Sequence, residues 1–175
     1  MECYPAKRCK LNLGSGQRPF KAPFLNYDVQ IGKWRDYTLE QGCQWVDMPW
    51  ARTYEMIVLH HVLEHFGCGE ADDLVGICYD ALEKKGSLIV CVPDVYKLAR
   101  GWMTNRIDTQ VYLTNVYGAY MGADADRHKW GYTTKSLIDY LSKWEWRKLE
   151  PFDFRDILGA DIAKDWYITG VEGIK

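Results

Sequence analysis

Residues 54–70 read YEMIVLHHVLEHFGCGE, and the way this stretch divides decides how the whole chain is read. Residues 55–59 are expected as a strand with apolar side chains back to back, the pattern of a strand buried on both faces. From His60 the composition changes abruptly. His61, Glu64 and His65 spell H-x-x-E-H, in which two histidines one helical turn apart hold a zinc ion while the glutamate polarises a water. On helical geometry His61 and His65 face the same way with Glu64 beside them. Against a metal, Gly67-Cys68-Gly69 breaks the chain just after His65, and a catalytic zinc wants its histidines on a rigid element with a third protein ligand. His128 or a downstream carboxylate is available, but the spacing singles out neither. In the alternative reading His60, His61 and His65 end a strand and turn while Leu63 and Phe66 pack inward. The C-terminal edge of a central strand is where open α/β sheets bind ligands, so the motif is expected to line a site without holding a metal.

Working outward, similar apolar runs mark strands at residues 10–13, 24–27, 44–46, 87–92, 146–149 and 166–172. Between the fourth and fifth, Leu74, Ile77, Cys78, Ala81 and Leu82 recur at helical spacing, and residues 83–86 (EKKG) supply basic residues and a glycine stop. Asp94 is placed to cap a helix running to about Met103. Thr133 or Thr134 caps another, with Leu137, Ile138 and Leu141 as its stripe. Strand and helix alternate over most of the length. The expected fold is therefore α/β, a three-layer, Rossmann-like, doubly wound sheet.

The 175 residues suit a single domain, 1–175. Lys and Arg number 22 against 24 Asp and Glu, for a net charge of -2, so no basic field points to nucleic acid or an anionic membrane. Cysteines stand at 3, 9, 43, 68, 78 and 91 without a C-x-x-C pair, as expected of reduced thiols in a cytoplasmic protein. No apolar run has the length of a signal or membrane span, so neither secretion nor membrane insertion is expected.

Residues 11–20, LNLGSGQRPF, follow the first strand with Gly-x-Gly. The dinucleotide fingerprint wants a third glycine and then a helix, whereas Pro19 and Pro23 leave little room for one. A ligand that needs close backbone approach without phosphate binding fits better. Asp28, at the end of the second strand, suits the two hydroxyls of a ribose; the other reading is a solvated turn aspartate. Asp47, followed by Met48, Pro49 and Trp50, suits an adenine amino group or a turn before proline.

In order, KLNLGSG, FLNYDV, WVDMPW, YEMIVLHHVLEHF, ALEKKGSLIVCVPD and TTKSLIDYLSKWEWRKLE resemble a compact class I S-adenosylmethionine-dependent methyltransferase of the methyltransferase-11-like kind. The resemblance runs from Lys10 to the final strand. It implies about seven strands, mostly parallel with an antiparallel last strand, and S-adenosylmethionine across the C-terminal edges of the first four. It implies that Gly14, Ser15 and Gly16 approach the methionyl part, Asp28 the ribose, and Asp47 and Met48 the adenine, with His60 bordering the sulfonium. Asn12 stands where many relatives carry an acidic residue for the cofactor ammonium, and a neutral amide holds that cation less strongly. Only residues 14–24 join the first two strands, close to the minimum for a parallel crossover. The first helix is therefore expected to be vestigial and the N-terminal helical cover absent, a gap for a homodimer or a partner chain to fill.

Methyl transfer needs an in-line nucleophile held close, with a base only where the nucleophile carries a proton. His61, Asp94 and His128 are the candidate bases. Residues 105–131 fall between two helices as a possible lid. The aromatics from Trp102 to Trp146, among them Tyr112, Tyr117, Tyr120 and Trp130, suit a sugar or planar substrate, or else core and dimer contacts. A small-molecule or glycan acceptor is expected, with nucleic acid disfavoured. A cofactor-binding partner subunit without transferase activity and, more distantly, a zinc hydrolase are the other readings.

Overall fold

The computed structural model describes residues 9–15, 20–21, 24–28, 37–38, 53–119, 126–158 and 166–175. Seven strands form one sheet: β1 (Cys9–Leu13), β2 (Phe24–Asp28), β3 (Tyr37–Thr38), β4 (Tyr54–His60), β5 (Leu82–Pro93), β6 (Lys148–Phe152) and β7 (Ile168–Ile174). Their order is β3-β2-β1-β4-β5-β7-β6. The β1–β2, β1–β4, β2–β3 and β4–β5 pairs are parallel, whereas β7 runs antiparallel to both β5 and β6. The expected doubly wound sheet with an antiparallel last strand is present. The chain reverses its direction of winding between β1 and β4, which places a switch-point crevice at their C-terminal ends.

The strands read as continuously apolar because both faces are covered. Leu11, Leu13, Ile57, Leu59, Leu88, Val90 and Val92 share one face with Leu74, Val75 and Cys78 of α1 (Cys68–Ala81) and with Leu137 and Leu141 of α4 (Thr134–Leu141). Val58, Ile89 and Cys91 alternate to the other face and meet Phe154 and Ile168, with Phe20 and Phe24 partly buried beside them.

Local signals were largely obeyed. Asp94 caps α2 (Val95–Met103), accepting from the backbone N–H of Tyr96 and Lys97, and Thr133 caps α4 through Ser136 N–H. Gly67-Cys68-Gly69, expected to break the chain, instead opens α1, because Gly67 N–H donates to Oε2 of Glu70 at 3.0 Å. Residues 83–86 are not a helix stop either. Leu82 pairs with Tyr54 and Ser87 with Met56, so the four residues between form a bulge in β5, turned by Lys85 at φ 69°. Residues 44–46, expected as the third strand, lie outside the described residues. The last two strands begin two residues later than expected; Trp146 instead lies over Gly173 of β7, donating its indole N–H to Leu141 O. An additional helix, α3 (Thr109–Tyr117), capped by Asp108, occupies part of residues 105–131, and α5 (Arg155–Leu158) follows β6.

Candidate functional site at the C-terminal sheet edge

The glycine loop leaves β1 with Gly14 at φ 73°, and the N–H groups of Gly14 and Ser15 both donate to Tyr27 O, at 2.8 and 3.0 Å. Val62, from the chain just beyond β4, fills the space where a side chain on Gly14 would lie. Ser15 is 5% exposed, and its Oγ has no hydrogen-bond partner among the described residues. Asn12, buried in β1, donates its amide N–H to Oδ1 of Asn26 at 2.9 Å, and Asn26 in turn holds both the N–H and the carbonyl of Phe20. Asp28 ends β2, buried, opposite Thr38 of β3. Gly16, Asp47 and Met48 lie outside the described residues.

Beyond the end of β4 three histidines, His61, His65 and His128, gather around the carboxylate of Glu64. His60 and His61 meet edge to face, ring centroids 4.6 Å apart, and His61 takes a left-handed φ of 56° while its N–H donates to Cys91 O. The turn Leu63–His65 is a single 3-10 turn, so His61 and His65 do not share a helix face. His65 instead packs edge to face on His128, centroids 4.7 Å apart. Glu64, 2% exposed, has Oε1 3.1 Å from His61 Nδ1 and 4.0 Å from His128 Nε2. The His61 contact lies off the line of a good hydrogen bond, and neither carboxylate oxygen has a partner in bonding geometry among the described residues.

Burial by itself pushes the Glu64 carboxyl up, but the close His61 and the fields of His61, His65 and His128 outweigh it and hold it below the usual carboxylate range. Burial holds the His128 imidazole below its ordinary value, against the pull of Glu64. The loop carrying His128 is fixed by backbone bonds. Lys129 and Trp130 N–H donate to Glu64 O, His128 N–H donates to Tyr117 O, and Gly118, at φ 88°, lets the chain pass against the carbonyl of Asp126.

Asp94, the third candidate base, is fully engaged. Besides capping α2 it accepts from the N–H and hydroxyl of Thr134 through Oδ2, both at 3.2 Å, so one buried carboxylate joins the starts of α2 and α4. Thr134 Oγ1 lies 2.7 Å from the Thr169 hydroxyl at the start of β7. Beside this junction is a cavity of about 500 Å³ whose lining includes Lys97, Thr134, Phe152, Arg155, Trp166 and Thr169. No sequence signal pointed to it, because its walls come from five separate elements.

The aromatics divide between core and surface. Tyr132 and Tyr140 belong to the core around α4, Trp102 stacks on Tyr112, and Tyr117 and Trp130 are exposed; Tyr120 lies outside the described residues. Glu64 and His65 were visible in the H-x-x-E-H motif, yet only the fold reveals their partner His128.

Comparison with solved structures completes the assignment of the fold. Human N-acetylserotonin methyltransferase, in complex with S-adenosylmethionine, superposes with a TM-score of 0.59 at 13% identity over 95% of this chain and 47% of its own. The plantazolicin methyltransferase BpumL, in complex with S-adenosylhomocysteine, gives 0.59 at 13% identity over 96% of this chain and 76% of its own. A methyltransferase from Archaeoglobus fulgidus gives 0.57 at 12% identity, covering 97% and 87%. This is the class I S-adenosylmethionine-dependent methyltransferase fold. The methyltransferase fold here spans about half the length of the human protein and most of the archaeal one. No family model matches the chain, and no curated protein matches it. Among the described residues no helix is long and apolar enough to cross a membrane.

Proposed function

We propose that the chain is an S-adenosylmethionine-dependent methyltransferase acting on a small-molecule acceptor. The observation that carries this reading is the buried Ser15 hydroxyl, without a hydrogen-bond partner among the described residues, at the switch point of a methyltransferase fold. A polar atom removed from water without a partner costs free energy, and a ligand at this edge restores the missing bond. The Asp28 carboxylate at the end of β2 is the group for a ribose, and the backbone of Gly14 and Ser15 borders the methionyl part. Gly16, Asp47 and Met48 complete the proposed cofactor set, with His60 at the sulfonium side. When bound, S-adenosylmethionine supplies an electrophilic methyl group on a sulfonium.

The chain's own contribution is mainly positioning. A cavity of about 500 Å³ falls within the range of small-ligand sites, and its Lys97, Thr134, Thr169 and Trp166 offer polar groups and one aromatic wall to the acceptor. Of the candidate bases, His61 is the more accessible: its side chain is 30% exposed against 10% for His128, and its Nδ1 lies 3.1 Å from Glu64 Oε1. Asp94 acts as a positioning residue that holds α2 and α4 around the cavity. The loop at residues 126–131, tied to Glu64 O, is proposed as the fixed end of a lid over residues 105–131.

Calorimetric titration with S-adenosylmethionine and S-adenosylhomocysteine tests the cofactor assignment, followed by a turnover screen of small-molecule and glycan acceptors. Binding of both with turnover on a small acceptor is expected. Binding without turnover on any acceptor would favour a regulatory subunit, and binding of neither would remove the reading.

A further inference from the structure

We propose that Glu64, His65 and His128 form a binding site for a divalent transition-metal ion of the zinc class, closed between the end of β4 and the loop at residues 126–131. One ligand atom from each of the three residues lies within 4.8 Å of those of the other two. The sequence alone led to the opposite expectation, because the spacing around H-x-x-E-H named no third ligand. The fold supplies it from a loop far along the chain.

The hydrogen bonds around the rings prepare them for a cation. His65 Nδ1 lies 3.1 Å from Arg127 O, and His128 Nδ1 lies 2.9 Å from Asn115 O. A carbonyl can only accept, so Nδ1 carries the hydrogen in each ring and the neutral imidazole keeps its lone pair on Nε2. Outer carbonyls orient metal-binding histidines in this way. The third donor, Glu64, is 2% exposed and its carboxylate oxygens lack a hydrogen-bond partner among the described residues. The buried carboxylate lies within 4.8 Å of a ring nitrogen of each of these two histidines, with His61 Nδ1 3.1 Å from Oε1, and a metal ion held by the three donors completes it.

The donor set selects the class of ion. Two imidazoles and one carboxylate match zinc sites with three protein ligands and an open fourth position, whereas magnesium and calcium prefer oxygen ligands. Donors around tetrahedral zinc stand roughly 3.3 Å apart, given bonds of about 2.0–2.1 Å. The 4.0 Å between Glu64 Oε1 and His128 Nε2 therefore has to shorten by about 0.7 Å, and a pair at the 4.8 Å limit by about 1.5 Å, within reach of side-chain rotation. The backbone is already held, since Lys129 and Trp130 both donate to Glu64 O. The inference does not rest on the methyltransferase reading.

The test is titration of the chelator-treated full chain with cobalt(II), followed by visible absorption, without S-adenosylmethionine, together with zinc competition. One equivalent is expected to bind with the spectrum of a nitrogen- and oxygen-ligated site of low coordination number, and zinc is expected to displace it and raise the melting temperature. His65→Gln and His128→Gln, checked for folding by circular dichroism, are expected to lose about 100-fold or more in affinity, beyond the 10–100-fold typical of losing an outer partner. Cys68→Ser, at an exposed thiol, is expected to leave binding unchanged. No saturation at one equivalent, a thiolate charge-transfer band, or binding unaffected by both histidine substitutions would overturn the proposal. If the variants fail to fold, the stoichiometry and spectrum of the unmodified chain still decide it. Failure here leaves S-adenosylmethionine binding untouched, and the reverse also holds.

Discussion

A β-carbon placed on Gly14 would stand 2.4 Å from Cγ2 of Val62, inside the distance at which carbon atoms repel. Gly14 also has φ 73°, so the glycine is demanded by the fold itself, through both backbone and packing, before any ligand arrives. Gly14→Ala is therefore expected to destabilise the chain by about 2 kcal/mol or more. The double variant with Val62→Ala relieves the clash and retains the backbone strain, so its loss is expected to be smaller than the sum of the two single losses. Urea denaturation measures all three. A Gly14→Ala protein of unchanged stability would leave ligand approach as the only reason for the glycine.

Asp94 offers a contrast, because what it contributes to the fold rests on hydrogen bonds. Its carboxylate serves the starts of α2 and α4 together. Asp94→Ala is expected to cost about 2–3 kcal/mol, the loss of a cap plus buried donors left unmet. Asp94→Asn keeps one acceptor oxygen and is expected to cost less. Equal and negligible losses in thermal unfolding would contradict this structural share.

Asp28 is the sharpest test of the cofactor set. Asp28→Ala removes a charged acceptor worth about 1.5–3 kcal/mol to the groups it bonds, so S-adenosylmethionine affinity is expected to fall by about 10- to 150-fold. Calorimetry on the folded variant decides it, and an unchanged affinity would sink the ribose assignment.

Alkaline pH acts on the core. Burial pushes the thiols of Cys78 and Cys91 up to about 12, from an ordinary value of 9.0, with Glu64 adding to the shift at Cys91. A group whose pKa is raised on folding contributes stability that is present below its unfolded value and is lost as pH rises toward its folded value. Stability is therefore expected to decline between pH 9 and 12. At pH 8 Cys68 is expected to react with a thiol reagent while Cys78 and Cys91 stay protected. Labelling of Cys78 or Cys91 as fast as Cys68 at pH 8 would contradict their burial.

The sequence by itself determined what depends on near neighbours. Continuous apolar runs such as residues 87–92 marked strands because a strand covered on both faces has no polar side to show. Asp94 and Thr133 marked helix starts because a cap bonds N–H groups two or three residues away. Resemblance in the order of these pieces carried the expectation of an antiparallel last strand, and the sheet bears it out. The tertiary structure alone decided what depends on residues distant in the chain. It turned EKKG into a bulge because Leu82 finds Tyr54 across the sheet, and it turned Asn12 toward Asn26 because parallel pairing sets them side by side. It also joined Asp94 to Thr134 and brought His128 against Glu64 and His65. Capping and periodicity are written within a few residues of chain, whereas these meetings follow from strand register and loop closure, which no local pattern encodes.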